Sequence, residues 1–204
     1  MFGLTGNIGC GKSTVAALLS KHPDVVILNC DDIAKEIIYT GEYSTEVRKI
    51  FGKAVFITEK EGCIIHQQIP VLSVLAREIF SDVEKKRKFE ELIHPLVWKI
   101  VQERAALFGK QKICVIESAI IYETKSEDKF AAVIAVTCNP DEQFRRLRDN
   151  RKMSDVEIQA RLAQQLPSLE KERRACFVID TDCSTEELFK RVDCLYQKLK
   201  GVSV

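Results

Sequence analysis

Gly6-Asn7-Ile8-Gly9-Cys10-Gly11-Lys12-Ser13, followed by Thr14, fits the phosphate-binding pattern G-x-x-x-x-G-K-[ST]. Glycines at three positions let the backbone curl so that successive N–H groups point inward at a phosphate, and the helix that follows presents its positive N-terminal end. Lys12 is then placed to reach the β- and γ-phosphates of a nucleotide, and the Ser13 hydroxyl to ligate Mg²⁺. The flanking sequence agrees with that reading. Met1–Thr5 is a short apolar run suited to a buried parallel strand, and Thr14–Ser20 has the spacing of an amphipathic helix.

The chain has 204 residues, 46% of them hydrophobic, enough for one well-cored domain with inserted subregions. A net charge of +1 argues against broad electrostatic binding to nucleic acid or a membrane, so any anion site must be local. No apolar stretch approaches a membrane span, and the expectation is a cytoplasmic protein, monomeric or weakly self-associating. Eight cysteines contain no C-x-x-C pair, which argues against a zinc ribbon or a redox motif and for reduced thiols throughout. Cys10 differs from the rest, because the start of a helix lowers a thiol pKa and this thiol sits inside the phosphate loop.

Four more apolar runs, Val25–Asn29, Lys112–Glu117, Ala131–Thr137 and Cys176–Asp180, read as strands separated by helical patterns. Such alternation predicts a five-stranded, mainly parallel sheet covered on both faces, with ligands beyond the carboxyl ends of its strands. The second strand runs into Cys30-Asp31-Asp32, so one of these aspartates can face a transferred phosphoryl group, or cap the next helix. Residues 40–107 read as a charged helical insert, Gln67–Phe80 and Asp82–Leu107, with a further short strand at Ala54–Ile57. The segment from Arg145 to Arg174 is dense in cations, including Arg146, Arg148, Arg151, Arg161, Lys171 and Arg173. It reads either as a solvated helical face or as a lid that neutralises phosphates.

Taken together, the chain resembles dephospho-coenzyme A kinases from end to end. The likeness is carried by Gly3–Thr14, Asn29-Cys30-Asp31-Asp32-Ile33-Ala34, Ile79-Phe80, Leu92-Ile93-His94-Pro95-Leu96-Val97, Glu117–Glu123 and Arg161-Leu162-Ala163-Gln164-Gln165, in the family's order. The resemblance implies a P-loop NTPase fold, a three-layer α/β/α core with a helical substrate-binding insert near 40–107 and a short lid near 146–174. It also implies transfer of the ATP γ-phosphate to the ribose 3′-hydroxyl of dephospho-coenzyme A, with Mg²⁺. By the same resemblance, Gly9, Cys10, Gly11, Lys12, Ser13 and Thr14 would bind ATP and Asp31 would orient or deprotonate the acceptor. Arg148 and Arg161 would act from the lid, with Arg161, His94 and Glu123 toward the substrate. Two of these retain structural alternatives: His94 before Pro95 also suits a helix start, and Glu117 or Glu123 also suits a helix cap.

The chain departs from the family pattern at Asn7, Cys10, Asn29, Cys176 and Thr181, which put substrate preference, metal binding and adenine contacts in question. A different small kinase, acting on a nucleoside or nucleotide, would use the same core. A guanine-nucleotide switch would carry [NT]-K-x-D after a strand, whereas Thr124-Lys125-Ser126-Glu127 lacks the aspartate and precedes its strand.

Overall fold

The computed structural model describes residues 1–40, 43–52, 72–109 and 111–202. All five apolar runs form strands: β1 (Phe2–Thr5), β2 (Val25–Asn29), β3 (Ile113–Glu117), β4 (Ala132–Thr137) and β5 (Phe177–Asp180). They join in the order β2-β3-β1-β4-β5, and every pairing is parallel. β1 is therefore central, and the loop that follows it opens where the chain order reverses, between β3 and β4. That is the crevice in which open parallel sheets hold ligands. The strand expected at Ala54–Ile57 lies outside the described residues, as does the start of the helix expected from Gln67.

Burial follows the parallel pattern. All six residues of β4 are buried, as a strand covered on both faces requires. On one face Phe2 and Leu4 of β1 and Ala132, Ile134 and Val136 of β4 share a core with two helices. These are α1 (Lys12–Leu19), through Val15, Ala16 and Leu19, and α9 (Thr185–Gly201), through Leu188, Val192, Leu195 and Leu199. Each Val, Leu, Ile or Phe among them contributes about 1.5–3 kcal/mol on burial. On the opposite face a Cβ at Gly3 would stand 2.8 Å from Ile121 Cδ1, so the segment after β3 lies directly on the sheet there.

Helix starts are written locally. The cation-rich segment folds as α6 (Pro140–Arg151), α7 (Asp155–Leu162) and α8 (Ser168–Arg174). Asn139 caps α6 by accepting from Asp141 N at 2.9 Å, with Pro140 at the first helical position. Ser154 and Glu157 form a capping box at α7. α1 begins differently. Its N-cap is Gly11, which has no side-chain oxygen to offer the first-turn amides.

The chain divides into two compact units, Met1–Asn29 with Ala105–Val204, and Cys30–Arg104. The second unit holds α2 (Cys30–Thr40), α3 (Ser44–Phe51), α4 (Leu72–Ser81) and most of α5 (Val83–Phe108). Within it Phe51 and Phe89 meet edge to face at 5.7 Å, and Arg104 pairs with Glu36. Asp82 caps α5 by accepting from the backbone N–H groups of Glu84 and Lys85. His94 and Pro95 fall well inside α5, so the alternative in which this pair starts a helix does not apply.

Candidate active site

The loop from Gly6 to Gly11 connects the buried end of β1 to the start of α1. Two glycines are required by space as well as by angle. Gly6 has φ +148°, and a Cβ there would lie 2.3 Å from the Val136 carbonyl oxygen of the neighbouring strand. Gly9 has φ +84°, and a Cβ would lie 2.8 Å from Leu147 Cγ of α6. The resulting curl ends at the amide-rich first turn of α1, where Ser13 and Thr14 are exposed. Lys12 Nζ folds back over the loop and donates to Gly6 O at 2.9 Å and Asn7 O at 3.2 Å. A glycine cradle, an ammonium folded across it and an exposed hydroxyl at the helix start together suit a nucleotide phosphate with its Mg²⁺.

Three segments hold this loop in place. From α6, Gln143 Nε2 donates to Ile8 O at 2.6 Å and to Cys10 Sγ at 3.4 Å. From the Gln164–Pro167 connection, Gln165 Oε1 accepts from Ile8 N at 2.9 Å, and Leu166 O accepts from Asn7 Nδ2 at 3.2 Å. After β5, the Thr181 hydroxyl bridges Cys10 O at 3.0 Å and Thr137 O at 3.2 Å. Thr181 is in turn held by Arg146, whose guanidinium reaches its hydroxyl at 2.8 Å and its carbonyl at 2.9 Å. The departures at positions 7 and 181 thus both belong to the loop's scaffolding. Asn7 Oδ1 is buried without a hydrogen-bond partner, a cost retained within the loop itself.

Glu123 is tied down by two donors. Its Oε1 accepts from Leu166 N at 2.8 Å and pairs with Lys171 Nζ at 2.7 Å, while Lys171 also donates to Ala119 O at 2.7 Å. Burial holds the Lys171 ammonium below its ordinary pKa, partly offset by Glu123. At the neighbouring strand ends, Asn29 and Glu117 face each other in the β2/β3 register, and Asn29 Nδ2 donates to Glu117 Oε2 at 3.0 Å.

The Cys10 thiol is lowered to about 7. The neighbouring Cys138 thiol is the largest cause, with Lys12 and the Asn7 backbone adding to it against the effect of burial. The same contact pushes the Cys138 thiol up. Seven cysteines lie among the described residues and all are free; Cys63 is outside them.

Other expected site residues fall on different elements. Asp31 and Asp32 lie in the first turn of α2 rather than before it, and Asp31 is exposed. His94 lies on α5, with burial lowering its pKa against the opposing effect of Glu90. Arg148 on α6 pairs with Asp155 at 2.5 Å and 2.7 Å, and Arg161 is exposed in the last turn of α7. In the same cation-rich stretch, Arg145 and Arg146 pair with Glu142, whose carboxyl they hold at about 2, and Arg174 pairs with Glu127 and stacks over Tyr122. Sequence reading did not single out Gln143 or Thr181 as supports for the loop, and grouped Lys171 with surface cations. No local pattern marks them, because their partners are far away in the chain.

A family model described as dephospho-CoA kinase matches residues 1–187. The chain belongs to the dephospho-CoA kinase family. It is 33% identical to the dephospho-CoA kinase of Bdellovibrio bacteriovorus, the match covering 94% of this chain and 92% of that protein. It is also 33% identical to that of Aquifex aeolicus, over 97% and 96% of the two chains. Among solved structures, that of TT1252 from Thermus thermophilus superposes with a TM-score of 0.81 at 28% identity, covering 100% of this chain and 97% of that one. The protein is therefore an enzyme, a phosphotransferase of coenzyme A synthesis, and a dephospho-CoA kinase draws on ATP as its phosphoryl donor. Among the described residues, no helix is long and apolar enough to cross a membrane.

Proposed function

We propose that the protein transfers the γ-phosphoryl group of ATP to the 3′-hydroxyl of the ribose of dephospho-coenzyme A, releasing coenzyme A and ADP in the cytoplasm. The observation that carries this reading is a fully formed phosphate loop in a chain whose family match runs from residue 1 to residue 187. Gly9 to Thr14 cradle the ATP phosphates, and Lys12 exchanges its loop carbonyls for phosphate oxygens, neutralising charge that builds up in transfer. The Ser13 hydroxyl would hold Mg²⁺, which would supply further charge neutralisation.

Asp31 takes the acceptor hydroxyl's hydrogen bond, orients its lone pair toward the γ-phosphorus and receives its proton as the P–O bond forms. Arg148 and Arg161 close from a lid spanning residues 146–174, and Arg148 releases Asp155 to do so. His94 and Glu123 contribute on the coenzyme side. A neutral His94, favoured by its burial, suits contact with an uncharged part of that ligand.

The test is a coupled ADP-release assay with Mg²⁺-ATP, offering dephospho-coenzyme A, adenosine, uridine and nucleoside monophosphates as acceptors. Turnover with dephospho-coenzyme A, and a product phosphorylated at the 3′ position, supports the reading. Turnover only with a nucleoside or nucleotide discards it and retains the phosphate loop.

A further inference from the structure

Cys10 occupies the fifth position of the phosphate loop, and Cys138 follows the last residue of β4. Each thiol is the largest influence on the other's titration, and both side chains pack into the same core cluster. The backbones are also clamped together, since one hydroxyl, that of Thr181, bonds the carbonyls of Cys10 and Thr137. Gln143 Nε2 steadies the Cys10 sulfur from α6 at 3.4 Å. Charged groups face the pair from each surrounding element: Lys12 of α1 and Lys171 of α8 at Cys10, Arg146 of α6 and Asp182 after β5 at Cys138. This balance of charges favours a thiolate at Cys10.

We infer that Cys10 and Cys138 are a modification site, a thiol pair that a hydroperoxide converts to a disulfide, and that the disulfide disables the phosphate loop. Cys10 is only 1% exposed, which selects a small oxidant over bulky disulfides, and Cys138 is half-buried. The Cys10 thiolate attacks one peroxide oxygen; the O–O bond breaks, leaving Cys10 as a sulfenic acid and expelling hydroxide, or an alkoxide from an organic hydroperoxide, which takes up the proton Cys10 released on ionising and leaves as water or an alcohol. The Cys138 sulfur then attacks Cys10 Sγ, the S–S bond forms, and the sulfenic hydroxyl leaves with the Cys138 proton as water. Two thiols are oxidised by two electrons and one peroxide is reduced.

A disulfide requires an S–S distance of about 2.05 Å, so the two sulfurs must close to bonding distance. That movement pulls position 10 toward β4 and takes its neighbours Gly9 and Gly11 with it. The amides between Gly9 and Lys12 then no longer converge on one point. This consequence rests on the reading of the loop as the ATP phosphate site; the disulfide itself does not.

The full-length protein is treated with hydrogen peroxide, remaining thiols are blocked with iodoacetamide, and peptides are read by mass spectrometry while Mg²⁺-ATP binding is titrated. The expected result is a Cys10–Cys138 linked peptide, loss of ATP binding and recovery of both on adding dithiothreitol. Cys138→Ser should bind ATP like the untreated wild type and keep that binding after peroxide. Absence of the linked peptide from peroxide-treated wild type overturns the proposal. So does a linked protein that still binds ATP, or equal loss of binding in Cys138→Ser. Untreated protein that fails to bind ATP counts against the loop assignment alone, and the linked peptide still decides whether the disulfide forms.

Discussion

Lys171 Nζ lies 2.7 Å from Glu123 Oε1, and the lysine side chain is 1% exposed. Because Glu123 Oε1 also accepts from Leu166 N, and residues 165–166 bond to Ile8 and Asn7, this ion pair is the far end of a chain of contacts that reaches the phosphate loop. Removing the cation would leave the Glu123 carboxylate without its charged partner. Lys171→Met is expected to cost about 3–5 kcal/mol of stability, the usual penalty for breaking a buried pair on one side. Urea unfolding measures it. Lys171→Met combined with Glu123→Gln should recover part of the loss, and a double variant no better than the single would show that the pair is not the source.

Lys12→Ala removes the ammonium that now rests on Gly6 O and Asn7 O. The protein should fold with a wild-type circular dichroism spectrum, while turnover falls by roughly 10²–10³ or more, as for loss of a preorganised charge partner. Wild-type activity in this variant would remove Lys12 from the mechanism.

Asp31→Asn keeps the size of the side chain and removes its capacity to take a proton. If Asp31 acts on the acceptor, kcat should fall by roughly 10²–10⁴ with ATP affinity nearly unchanged. A selective loss of ATP affinity would move Asp31 from the acceptor to the metal shell.

Asn29→Asp would set a second carboxylate opposite Glu117, across the 3.0 Å contact now made by an amide donor. Like charges at that distance raise one of the two pKa values. A carboxyl raised in the fold is protonated, and harmless, below its unfolded value near 4; the penalty appears as pH rises through the folded value. The variant should therefore be less stable than wild type at pH 8, close to it near pH 4, and rescued at pH 8 by Mg²⁺. A deficit independent of both pH and Mg²⁺ would speak against paired carboxylates.

His94 gives the opposite sign of test. Burial lowers its pKa, so the folded state resists a proton that the unfolded chain accepts near pH 6.5. Its contribution is present above about 6.5 and is lost as pH falls from there through the folded value. Thermal midpoints measured from pH 7 down to pH 5 should drop less steeply in His94→Gln than in wild type. Parallel profiles would mean that His94 is not held neutral by the fold.

Much of the architecture is legible in the chain. All five apolar runs become strands, and the long helix expected at Asp82–Leu107 is α5, displaced by one residue at each end. Strands covered on both faces read as continuous apolar runs, and caps such as Asn139-Pro140 and Ser154 with Glu157 are short-range devices. The cation-rich segment was less legible. Its charges suggest a solvated face or a lid, yet Lys171 is buried and Arg146 braces Thr181. Sequence spacing carries no information about partners 35 or 52 positions away.

The sequence by itself determined the phosphate loop, because the glycines, Lys12 and Ser13 act through backbone angles and a helix start that are all local. It also determined the strand composition and the family, through blocks of residues read in order. Tertiary structure alone decided the strand order and what holds the loop. Gln143, Gln165, Thr181 and the Glu123–Lys171 pair converge on residues 7 to 10, directly or through one another, only after parallel pairing brings the strand ends together. It also decided that Cys10 has a second thiol as its neighbour. Cys10 and Cys138 are 128 positions apart in the chain, and only the placement of β1 beside β4 brings them together.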